Sequence, residues 1–158
     1  MKTYQDIINE SIDLLSHLDN PKFEAESLLA FVLQCNRSRI IAFPEKTLQP
    51  HEYQRYLDLI SQRQLGVPYA YLVGEKEFYD LTLKVSPATL IPRADTELLV
   101  DTVLSKMAPQ MQYSVIDMGT GSGAIALTIK KHRPLANVTA VDQSLDALLV
   151  AKDNAESL

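Results

Sequence analysis

The chain has 158 residues, 46% of them hydrophobic and 22% charged, with a net charge of −5 at neutral pH. That length suits one average domain or two small ones, and the composition is ordinary for a globular protein. No apolar run approaches a membrane span, and the acidic balance argues against broad adhesion to a nucleic-acid backbone while leaving room for a local basic patch.

Met1 to Asp6 leads into a helix rather than a signal peptide. Thr3 is placed to cap that helix, which is expected to run to about Leu18 with Ile7, Ile8, Ser11, Leu14, Leu15 and Leu18 on one face. Asn20-Pro21 then supplies a cap and a first-turn proline, and Phe23, Leu28, Leu29, Val32 and Leu33 form the next apolar stripe. Cys35 is the single cysteine, so no internal disulfide can form and a reducing, cytoplasmic home is expected. Its apolar neighbours favour a buried core thiol over a nucleophile. A short helix is expected from Ser38 to Phe43, stopped by Pro44. A longer one runs from Pro50 to Leu65, with Tyr53, Tyr56, Leu57 and Ile60 in phase and Gly66 as its stop. These stripes are core positions, and the region 1–66 reads as a helical bundle.

After Gly66 the period changes. Ala70 to Val73 and Phe78 to Val85 read as strands turning at Gly74-Glu75, a β-hairpin linker over 67–86. Pro87 and Pro92 bracket an extended segment, and a helix is expected from Asp95 to Met107. His17, His51 and His132 are scattered without metal-ligand spacing, so no metal site is expected.

The most informative run is Val115-Ile116-Asp117-Met118-Gly119-Thr120-Gly121-Ser122-Gly123-Ala124, followed by Val141-Asp142. It reads as a strand, a glycine turn, a helix, and a second strand ending in an acid. Gly119 and Gly121 can take positive φ and leave room for a ligand against bare peptide, while Gly123 lets the following helix pack close to the strand. That helix aims its unpaired N–H groups at the turn. Asp142 lies nineteen residues beyond Gly123, where an acid can accept both hydroxyls of a ribose; a dinucleotide fold places it about 20 residues on. The motif does not choose its cofactor, because Gly119, Gly121 and Ala124 also satisfy the NAD pattern. Asp117 tilts the choice: an acid there repels a pyrophosphate and suits the cationic S-adenosylmethionine.

Three stretches carry a family resemblance: Gly66-Val67-Pro68-Tyr69-Ala70-Tyr71-Leu72-Val73-Gly74, Glu77-Phe78, and Leu90-Ile91-Pro92-Arg93-Ala94-Asp95-Thr96-Glu97. Together with Asp117 to Ala126, Ala140 to Asp142, Ala151 and Asn154-Ala155, they resemble the bacterial release factor glutamine methyltransferases. The match is loose over the whole chain and close from 66 to 155. Ala94 departs from it, standing where the family usually has a second proline; that costs stiffness and no chemical group.

The resemblance implies an α/β fold: an N-terminal helical bundle for release-factor docking, a β-hairpin linker, and over 87–158 the start of a Rossmann-like class I S-adenosylmethionine-dependent methyltransferase domain. It implies methyl transfer from S-adenosylmethionine to the glutamine amide nitrogen in the Gly-Gly-Gln loop of peptide chain release factors. Neither direct nucleic-acid binding nor membrane attachment is implied. The expected cofactor-binding residues are Asp117, Gly119, Thr120, Gly121, Ser122, Gly123 and Asp142, with Leu90 and Arg93 added by the resemblance. Leu90 has a competing reading as core, and Arg93 as an ion-pair partner of Asp95 or Glu97 at a helix start. Tyr69, Tyr71, Phe78 and Tyr79 offer either an aromatic platform for a base or, with more weight, hairpin packing between the domains.

The family grips its substrate amide with an Asn-Pro-Pro-Tyr motif after the fourth strand, and that motif is absent here. Asn20-Pro21 is the sole Asn-Pro and has a simpler explanation as a helix start. The expectation is therefore the N-terminal part of a longer enzyme, truncated before its catalytic residues and inactive alone, with a bundle able to fold by itself. An adenine-N6 nucleic-acid methyltransferase, a nicotinamide-dependent oxidoreductase and a non-enzymatic docking module are the competing readings.

Overall fold

The structure is a computed structural model that describes residues 2–158. The described residues divide into two compact units, 2–73 and Gly74–Leu158.

The first unit is helical. Helix α1 (Tyr4–Leu14) starts at a reciprocal cap: the Asp6 N–H donates to Thr3 Oγ1 at 3.2 Å and the Thr3 N–H donates to Asp6 Oδ2 at 2.9 Å. It stops at Leu14, short of the expected Leu18, because the Leu15 backbone leaves the helical region and turns its side chain into the core. Leu14 is left exposed. Helix α2 (Pro21–Val32) starts at Pro21 as expected, yet the Asn20 side chain makes no capping bond. Its buried stripe is Ala25, Leu28, Leu29 and Val32, while Phe23 faces solvent beneath the Arg37 guanidinium, 4.5 Å from the ring centre. Helices α3 (Arg37–Ala42) and α4 (Pro50–Gln64) follow. In α4, Tyr56, Leu59 and Ile60 are buried and Leu57 only half so.

A further short helix, α5 (Tyr69–Val73), replaces the expected first strand of the hairpin. The aromatic and branched residues of this segment have strand propensity. The Pro68 carbonyl instead accepts the N–H groups of Tyr71 and Leu72 at 3.0 and 3.3 Å and begins a helical turn. Tertiary context outweighs propensity in so short a run.

All these helices share one core of Ile7, Leu15, Leu28, Leu29, Ile40, Tyr56 and Ile60, with Cys35 half-buried against its edge. The polar positions on the buried faces answer one another. The Tyr56 hydroxyl donates to Ser11 Oγ at 2.9 Å, and Ser11 Oγ donates to the Ile7 carbonyl at 2.8 Å. Burial pushes the Tyr56 phenol well above its usual range, so it stays a neutral donor.

The second unit opens on an antiparallel hairpin, β1 (Glu75–Phe78) and β2 (Leu81–Lys84). Its turn is Tyr79-Asp80, not Gly74-Glu75 as expected, with Tyr79 in the left-handed region at φ 57°. Neighbouring helices hold that turn. The Tyr79 N–H donates to Glu97 Oε1 at 2.9 Å and its hydroxyl to Asp101 Oδ1 at 2.7 Å, both on α6 (Asp95–Lys106). Lys131 Nζ lies 2.9 Å from Asp80 Oδ2. The Lys131 and His132 hydrogen bonds hold the Asp80 carboxyl below its usual range.

Strand β3 (Ser114–Met118), helix α7 (Ala124–His132) and strand β4 (Asn137–Val141) form a βαβ unit, and helix α8 (Leu145–Ser157) follows. The strands pair in parallel, Val115 with Val138 and Met118 with Val141. Among the described residues these two strands pair only with each other. Met118 is 82% exposed and Ile116 67%. The architecture is α/β: a helical bundle, a β-hairpin, and a Rossmann-like βαβ unit with its following helix.

Candidate functional site

The loop Gly119–Gly123 leaves the carboxyl end of β3 and enters α7. This is where an open α/β sheet binds ligands. All three of its glycines have positive φ: 79° at Gly119, 55° at Gly121 and 85° at Gly123. A Cβ built on Gly119 or Gly121 would meet no atom within 4 Å, so both peptides border open space, as the spacing predicts. Gly123 is different. A Cβ there would come within 2.9 Å of Leu127 Cδ1 and 3.4 Å of Ala151 Cβ. Its bareness therefore serves packing against α7 and α8, rather than against the strand as expected.

Two acids frame the loop. Asp117 is buried, and its Oδ2 accepts from Thr120 Oγ1 at 2.7 Å and from the Ala126 N–H at 3.2 Å. It ties the loop to the first turn of α7, where an anion also meets the positive end of the helix. Asp142 stands at the end of β4. Its Oδ2 accepts the Gly121 N–H at 2.9 Å and its Oδ1 the Ser144 N–H at 3.0 Å. The backbone N–H groups of Ser144 and Gly121 hold its carboxyl below the usual carboxylate range, so it is ionised at neutral pH. A carboxylate offers about four acceptor positions, so further hydroxyl donors can still be accommodated. Asp117, Gly119, Thr120, Gly121, Ser122, Gly123 and Asp142 are thus brought into one cradle.

Leu90 and Arg93 lie in the irregular segment between β2 and α6, which opens on a turn at Ser86–Thr89 rather than running extended from Pro87. Leu90 is 70% exposed, which removes its reading as core. Arg93 is exposed and forms no ion pair among the described residues, so the expected alternative of pairing with Asp95 or Glu97 is not realised. Glu97 is instead engaged by the Tyr79 N–H. Three of the four aromatics weighed as a platform are engaged within their own units. Phe78 is buried in the core, the Tyr79 hydroxyl and backbone are both engaged, and Tyr69 packs against the core of the bundle. Among the described residues there is no cluster of metal-ligating side chains and no helix long and apolar enough to cross a membrane.

The role of Asn154 escaped the sequence reading. It is 1% exposed on α8, and its side chain donates to the Ser122 carbonyl at 2.8 Å. The signal was present: Ala147, Ala151 and Asn154 share one helical face, and an amide on an apolar face must find partners.

Residues 6–74 match the family model of the PrmC N-terminal domain, and residues 94–158 match the methyltransferase small domain. A release factor glutamine methyltransferase from Buchnera aphidicola subsp. Schizaphis graminum is 46% identical over 93% of this chain and 53% of its own length. Relatives of the same name from Salmonella typhimurium and Escherichia coli are 44% and 42% identical, each over 98% of this chain and 56% of their own length. The chain spans about half the length of the curated relatives it matches. With both domain models matched in succession and a glycine cradle at the start of the second, the chain is similar, over both matched regions, to the release factor glutamine methyltransferases.

Proposed function

We propose that this chain carries the methyl-donor site of an enzyme that methylates the side-chain amide nitrogen of a glutamine. S-adenosylmethionine is the cofactor, and the glutamine of the Gly-Gly-Gln loop of a peptide chain release factor is the acceptor. The observation that carries the reading is the open glycine cradle with an ionised Asp142 at its rim.

The residues fit such a donor. Asp142 would accept the ribose hydroxyls, and the bare peptides of Gly119 and Gly121 would let the ligand lie close. Thr120 and Ser122 shape the turn, with Gly123 seating it on α7. Asp117 supplies negative charge near a cationic ligand while holding Thr120. Leu90 and Arg93 are proposed to flank the amino-acid end. The bound donor supplies a methyl group on positive sulfur, transferred by in-line displacement, so orientation and close approach lower the barrier. An amide nitrogen is a poor nucleophile because its lone pair is delocalised into the carbonyl, and its N–H groups must be held by acceptors. No residue of this chain is assigned that role. The helical unit is proposed to hold the release factor, which places the activity in the cytoplasm and requires neither nucleic acid nor membrane.

Calorimetric titration with S-adenosylhomocysteine beside NADH tests the site. S-adenosylhomocysteine should bind more tightly, and Asp142→Ala should weaken it by about tenfold or more, the cost of lost hydrogen bonds to a charged group. Tighter NADH binding would favour an oxidoreductase and overturn the reading. For the substrate, a protein of the relatives' full length carrying this chain should label the Gly-Gly-Gln glutamine from labelled methyl donor. Efficient labelling of adenine in duplex DNA instead would favour a nucleic-acid methyltransferase.

A further inference from the structure

Behind the glycine cradle, a single buried amide joins three parts of the second unit. The Lys84 N–H donates to Asn154 Oδ1 at 2.7 Å, and Asn154 Nδ2 donates to the Lys84 carbonyl at 3.0 Å and to the Ser122 carbonyl at 2.8 Å. Toward β2 the side chain behaves as a peptide group would, taking one bond and giving one at the strand's end. The second Nδ2 hydrogen reaches the loop. The bonded carbonyl belongs to the Ser122–Gly123 peptide, whose N–H donates to the Thr120 carbonyl at 2.8 Å. Both sides of that peptide plane are therefore held, one by Asn154 and one by Thr120. A second contact acts from the same face of α8, where Ala151 walls the space beside Gly123.

We propose that Asn154 is a positioning residue for the cradle, fixing the Ser122–Gly123 peptide and through it the direction of the Gly121 N–H toward Asp142. This rests on reading the cradle as the methyl-donor seat. The side-chain requirement is narrow. Aspartate keeps the acceptor and loses both donors, leucine loses all three bonds, and glutamine carries the amide one carbon too far. The amide touches neither the open side of the cradle nor any proposed ligand group, so its influence passes through the loop.

Amide hydrogen exchange on the whole chain, comparing the native protein with Asn154→Asp and Asn154→Leu, tests the idea. The Gly121 and Gly123 amides should exchange about tenfold faster or more in both variants, the loss of roughly one buried hydrogen bond, while the β3–β4 ladder keeps its rates. Affinity for S-adenosylhomocysteine should fall in parallel. Equal acceleration throughout the second unit would reduce Asn154 to a structural support and overturn the proposal, as would unchanged Gly123 exchange. Should the variants fail to fold, the native protein still decides: both Asn154 Nδ2 protons should exchange slowly, and fast exchange would sink the idea. If the native chain fails to bind S-adenosylhomocysteine while the loop amides respond as expected, the methyl-donor reading falls and the control of the loop by Asn154 stands.

Discussion

The two units solve the problem of burying apolar surface in different ways. In the first, the helices close one core with their own side chains, and even the polar positions on the buried faces are answered internally, Tyr56 by Ser11 and Ser11 by the Ile7 carbonyl. In the second, the hairpin and α6 share a core with the start of α7, yet the β3–β4 pair leaves Ile116, Met118 and Val141 exposed along one face. A helix satisfies its own backbone and needs cover on one stripe only. A two-stranded parallel pair has two open edges and a second face, and few such pairs are stable without neighbours. The comparison teaches that the second unit divides its apolar burial between two smaller clusters, while its glycine loop is held by a few specific polar ties: Asp117 to Thr120, Asp142 to Gly121 and Asn154 to Ser122.

The largest expected effect lies in the closed core. Leu28→Ala should cost the first unit about 3 kcal/mol, because a fully buried leucine leaves a cavity that rigid helices fill poorly. Urea titration followed by a signal from that unit would measure it, and a loss well under about 1 kcal/mol would break the picture of a tightly closed bundle.

In the second unit the heaviest local penalty should fall on the glycine turn. Gly123→Ala forces a Cβ into left-handed backbone and within 2.9 Å of Leu127 Cδ1, for an expected cost of about 2 kcal/mol. Gly119→Ala strains the backbone as well but meets no neighbour, so it should cost less. Equal costs at the two positions would show that packing against α7 and α8 contributes nothing.

A smaller effect is pH-dependent. The Asp142 carboxyl is held below its usual range, so its contribution is present above the unfolded aspartate value of about 3.9 and is lost as pH falls through the lower folded value. Asp142→Asn should flatten the acid limb of the second unit's stability curve on that side and leave the neutral region unchanged in slope. An unaltered acid limb, followed by circular dichroism, would show that the ties to Ser144 and Gly121 do not matter to folding.

The smallest effect is expected on the bare sheet face. Met118→Ala should change stability by no more than about 0.5 kcal/mol, since a side chain that is 82% exposed gives up little on truncation. A cost approaching that of Leu28→Ala would mean that this face is covered in solution, and the contrast between the units would then disappear.

Much of this molecule was legible from local pattern. The Thr3 cap, the first-turn prolines Pro21 and Pro50, and the spacing of Ile7, Leu28, Tyr56 and Ile60 announce the bundle, because caps and helical periodicity are short-range properties. The strand, glycine turn, helix and acid of 115–142 follow a short motif, and the positive φ at Gly119 and Gly121 is one that glycine takes at no steric cost. What escaped was whatever depends on distant partners. The segment Tyr69–Val73 has strand-like residues and folds as a helix started at Pro68. The hairpin turns at Tyr79-Asp80 because Glu97, Asp101 and Lys131, from helices far along the chain, hold a non-glycine turn that local sequence would not choose. Gly123 is bare for the sake of Leu127 and Ala151, and Asn154 reaches both a strand 70 residues earlier and the glycine loop. The sequence by itself determined the helices α1 to α4, the βαβ pattern and the glycine turn, since each depends on short-range pattern. Only the tertiary structure decided how the cradle is held, because a buried polar group must find its partner wherever the folded chain brings one.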